Sequence, residues 1–124
     1  MNLKTFLSFK ALVSLVFGFI SLCIPTIIFP YYGVNLDEQG VVFSQWFGAM
    51  TIGIGFICWF ARAESRTALR QNILLSLFIC DTIGFVVALV GQIKGMANML
   101  GWSNVIIWLI LAIGLGYFRF VKQD

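Results

Sequence analysis

Apolar residues fall in four long blocks, with no sustained alternation of apolar and polar positions. The blocks cover about 11–29, 41–61, 69–91 and 99–118. Each is close to the roughly 20 residues a helix needs to cross the hydrocarbon core of a bilayer. That core offers no water, so backbone N–H and C=O groups must pair within the segment, and a helix does this. Barrel strands would show alternating segments of about ten residues instead. The pattern predicts an all-α membrane protein, one domain over 1–124 built as a four-transmembrane-helix bundle.

The breaks between blocks carry turn and interface signals. Pro30-Tyr31-Tyr32-Gly33 ends the first block, with a proline that cannot continue a helix and two tyrosines suited to headgroup depth. Asp37 stands where its carboxylate can cap the second helix. Arg62, Arg66 and Arg70 crowd a tight second loop, and Lys94, Gly95 and Asn98 mark the third. An N-terminal signal peptide is not expected, because Pro25 follows Ser21-Leu22-Cys23 closely and the apolar run continues to Phe29.

Composition agrees: 60% of residues are hydrophobic and 10% charged, against about 25% charged in a globular chain. The net charge of +3 does not indicate nucleic acid, since the basic residues flank apolar spans and form no stripe. Counted by side, the N-terminus, second loop and C-terminus hold two, three and two Lys or Arg, while the first and third loops hold none and one. Seven against one places both termini in the cytoplasm by the positive-inside rule. Histidine is absent, no CxxC occurs, and Ser14 and Ser44 have no base in reach, so no enzyme, cofactor or metal is expected.

In lipid, small residues set which helix faces approach closely. The first helix offers Ser14, Gly18 and Ser21; the second offers Ser44, Gly48, Thr51, Gly55 and Cys58; the third offers Asn72, Ser76, Cys80, Gly84 and Ala88. The second and third helices are therefore expected to be the tightest pair. Asp81 is the exceptional residue. It lies eleven residues beyond Arg70, about 16 Å along a helix, near the bilayer midplane. Equal counting puts Ser21, Thr51 and Trp108 at that depth and no basic residue. A neutral acid hydrogen-bonded to Thr51 or Trp108 is expected at pH 7, serving as a proton or cation site or as an interhelical tie.

Leu36-Asp37-x-x-Gly40 leading into Phe47-Gly48-Ala49, Arg62, Asp81-x-x-Gly84, Gly101-Trp102-x-Asn104 and Gly116-Tyr117-Phe118 give the chain a resemblance to a known group. It resembles small four-helix bacterial inner-membrane proteins of unknown function, which implies the topology and no mechanism. Small multidrug-resistance transporters differ in carrying a glutamate in the first helix, and fluoride channels in carrying an arginine there. The leading expectation is a non-enzymatic multi-pass protein of the inner membrane. It would act through helix packing in the lipid bilayer, as a homo-oligomer or an accessory subunit of a larger complex. The alternative is a proton- or cation-coupled carrier or channel centred on Asp81.

Overall fold

The computed structural model describes residues 1–122. Helix α1 runs Leu3–Cys23, the short α2 Pro25–Ile28, α3 Glu38–Ala61, α4 Ala68–Ile93 and α5 Gly101–Gly116. A 3-10 turn, Phe29–Tyr32, follows α2, and a π-helical turn, Tyr117–Val121, extends α5. Among the described residues there is no strand. Four helices, with α5 and its π-turn taken together, are long and apolar enough to cross a membrane. Their surfaces fit lipid: Phe60, Val87 and Ile113 are exposed while Ser14, Ser21, Ser44 and Asp81 are buried, the reverse of a water-soluble chain.

Local chemistry sets the ends. Asn2 caps α1 by accepting a hydrogen bond from Thr5 N–H at 2.8 Å, so the helix begins eight residues before the predicted block. Pro25 removes a backbone donor and Ile24 leaves helical geometry at φ −134° and ψ 43°. The first helix therefore stops at Cys23 rather than Phe29, and Gly33, at φ +74°, closes the turn that follows. Asp37 caps α3 as expected, accepting from Gly40 N–H at 2.7 Å. Thr67 caps α4 and accepts from Arg70 N–H at 3.1 Å.

The start of α1 and the π-turn after α5 share one end of the bundle, where Phe6 and Phe118 pack with ring centroids 5.5 Å apart and planes tilted by 40°. At the far end, Asn98 of the third loop donates to Tyr32 O at 2.8 Å and, through its side chain, to Tyr31 O at 3.0 Å. The closest helix pairs are α1 with α3 and α4 with α5, which corrects the expected pairing of α3 with α4. A β-carbon on Gly48 would lie 2.5 Å from Gly18 O and 2.8 Å from Leu22 N, and one on Gly55 would lie 2.9 Å from Leu15. The small residues of α3 are thus spent on α1. Gly84 faces α5 instead, with the Trp108 ring in the space its side chain would need. Ser44 donates to Ser21 O at 3.1 Å, a further α1–α3 contact.

On α4 the buried positions are Arg70, Leu74, Leu77 and Asp81. Asn72 and Ser76 are exposed, and Cys80 and Ala88 half-buried, so the inward stripe is turned by about one residue from the predicted one. Leu7, Leu74, Leu77, Leu115 and Phe118 join the two helix pairs in one apolar cluster. That cluster fills the half of the bundle nearest the termini.

Candidate functional site

Lys10 and Asp81 meet where the apolar cluster ends. Lys10 follows Leu3 and Leu7 and precedes Ser14, Gly18 and Ser21 on one buried stripe of α1. With α1 starting at Leu3, it lies about two turns inside the helix. Asp81 sits midway along α4 on the stripe with Leu74 and Leu77. The Lys10 ammonium donates to both carboxylate oxygens, at 2.7 Å and 3.0 Å. The two side chains are 2% and 1% exposed.

The partner of Asp81 is therefore Lys10, and the expected bond to Thr51 or Trp108 is not formed. Lys10 is not singled out by hydropathy, because it stands just outside the first apolar block, where a flanking charge is expected. The helical stripe was the signal that could have found it, since Leu7, Lys10, Ser14, Gly18 and Ser21 share one spacing.

A cavity of about 70 Å³ adjoins the pair. Its walls climb away from the terminal end: from Lys10 past Ser14 to Phe17 on α1, from Ile54 past Thr51 to Phe47 on α3, and from Leu111 past Trp108 to Asn104 on α5. Thr51 and Trp108 line the same cavity as Asp81. Ser21 does not, since it lies further along α1 against Ser44. The volume exceeds the 10–15 Å³ that admits a water and falls far short of the roughly 300 Å³ where ligand pockets begin. It suits a few waters, an ion or a solute of a few heavy atoms.

The arginines of the second loop lie apart from this site. The Arg62 guanidinium stacks 3.6 Å above the Trp59 ring. Arg70 turns inward, 8% exposed, and donates to Glu64 O at 3.1 Å. Arg66 is exposed. With Lys10 inside the bundle, the Lys and Arg count at the terminal end falls from seven to six, against Lys94 at the other.

Charge burial of this kind has a known energetic sense. A buried ion pair seldom stabilises a fold more than well-packed apolar residues would, whereas losing one partner is costly. Ionisable residues inside a membrane segment are associated with ion paths and proton relays. The fold and site define a multi-pass helical bundle with a paired acid and amine beside a small cavity. No family model, curated protein or solved structure matches the chain.

Proposed function

We propose that this chain is a small proton-coupled carrier or channel for an ion or small solute, working at the Lys10–Asp81 pair. The observation that carries the reading is the position of that pair, buried and abutting a cavity lined by Ser14, Thr51, Asn104 and Trp108. An isolated acid makes a poor relay. An acid paired with a buried ammonium can take up and release a proton while the ammonium stays charged, so the pair alternates between two charge states. The surrounding membrane is read as the bacterial inner membrane, in keeping with the resemblance to small four-helix proteins. Both termini are read as cytoplasmic, from the six-to-one distribution of Lys and Arg between the ends. Cysteine placed at Ser65 should resist an impermeant thiol reagent added outside cells, and outside labelling there would contradict the orientation.

A second reading has its own support. The ion pair ties α1 to α4, across the two helix pairs. Such a tie suits a packing subunit that assembles with itself or with a larger complex. Reconstitution separates the two. The carrier reading expects Asp81→Asn to fold normally and to reduce pH-driven flux in proteoliposomes to that of protein-free vesicles. Under the packing reading the wild type shows no flux across candidate ions and lipophilic cations, and Asp81→Asn assembles as the wild type does.

A further inference from the structure

The cavity beside the pair has two charged groups in its wall, the Lys10 ammonium and the Asp81 carboxylate. Lys10 and Trp108 can only donate, while the hydroxyls of Ser14 and Thr51 and the amide of Asn104 can donate or accept. Against them, Asp81 is the anion of the site, and it takes up two of the three Lys10 N–H groups. Once a proton neutralises Asp81, the Lys10 ammonium is the one charge left in the cavity wall, and a small anion is the ligand it receives best. A cation entering there would meet the ammonium and would need Lys10 to give up its proton. The 70 Å³ volume restricts the occupant to an ion or a molecule of a few atoms.

We infer that the solute is a small monovalent anion, moved together with a proton, the anion taking the place of the Asp81 carboxylate at the Lys10 ammonium. This rests on the carrier reading. In the resting state the ammonium and carboxylate cancel. A proton adds to the Asp81 carboxylate, giving a neutral acid that holds the ammonium less strongly. The anion supplies the negative charge that the carboxylate has lost, and Lys10 keeps its proton throughout. One proton and one anion enter, so the buried site stays neutral at the beginning and the end of the step. That neutrality matters because an unpaired buried charge is strongly disfavoured. The other titratable groups near the pair are the thiols of Cys58 on α3 and Cys80 on α4. Among the described residues, α5 brings no titratable side chain to the cavity.

The test uses the full chain in phosphatidylcholine vesicles with a trapped pH dye. Inward gradients of chloride, bromide or nitrate are applied as sodium, potassium or N-methylglucamine salts, with gluconate as an anion too large for the cavity. The expected result is acidification of the lumen by one or more of the small anions. It should be unchanged by the choice of cation, absent with gluconate and independent of valinomycin. Lys10→Gln should abolish it. Asp81→Asn should leave anion movement that no longer changes lumenal pH and that requires valinomycin and potassium for charge balance. A pH change that follows sodium or potassium and disappears with N-methylglucamine would overturn the anion assignment and leave the carrier reading standing. No flux of any salt would overturn both. Should Lys10→Gln fail to fold, the anion or cation dependence of the wild type decides by itself.

Discussion

Lys10→Met is expected to be the most damaging single substitution in the bundle. It removes the ammonium that lies 2.7 Å from the Asp81 carboxylate and leaves that acid 1% exposed without an ionic partner. Breaking a buried pair in this way costs about 3–5 kcal/mol, a large share of the roughly 5–15 kcal/mol that holds a typical domain together. The double variant Lys10→Met with Asp81→Leu should recover most of the loss, because two apolar side chains of similar size ask nothing of their surroundings. Denaturation in mild detergent, run on the wild type, both single variants and the double, gives the coupling directly. A Lys10→Met protein as stable as the wild type would show that the two side chains do not share a buried site.

The second large effect is expected at Gly48. Helices α1 and α3 approach so closely there that a β-carbon would fall 2.5 Å from Gly18 O and 2.8 Å from Leu22 N. Both obstacles are backbone atoms, which cannot swing aside as a side chain does. Gly48→Leu must therefore push the helices apart, at a cost of at least the roughly 1–3 kcal/mol typical of overpacking. Gly53 lies one and a half turns further along α3, and nothing stands within 4 Å of its would-be β-carbon. Gly53→Leu should be neutral or modestly stabilising, since replacing an interior glycine favours the helix by about 0.5–1 kcal/mol. Equal melting temperatures for the two variants would contradict the α1–α3 contact. Gly84→Leu should fall between them, because its obstacle is the Trp108 ring, a side chain and not backbone.

Much of the architecture is legible in the chain because hydrocarbon imposes one solution. Long apolar runs must become helices, and Asp37 and the arginine-rich loop mark where they begin and end. Helix partners are harder to read. Gly48, Gly55 and Gly84 are identifiable as close-contact residues, yet small size does not say which neighbour fills the gap, and α1 and Trp108 fill it here. Asp81 stands out as an acid in an apolar run. Its partner does not, because hydropathy draws the helix boundary at the charge itself. Asn2, a polar residue outside every block, extends α1 by capping it and so carries Lys10 inside. Asn98 gives no more than a turn signal in sequence. Its hydrogen bonds to Tyr31 and Tyr32 depend on loops brought together by the bundle.

The central claim is direct contact between Lys10 and Asp81 within the membrane-spanning region, and solid-state NMR measures it. Protein labelled with ¹⁵N at lysine Nζ and ¹³C at aspartate Cγ would be reconstituted in lipid and examined for nitrogen–carbon dipolar coupling. One strong coupling is expected, matching an ammonium 2.7 Å and 3.0 Å from the two carboxylate oxygens, and it should disappear in Asp81→Asn. Absence of that coupling in the wild type, or its survival in Asp81→Asn, would contradict the contact.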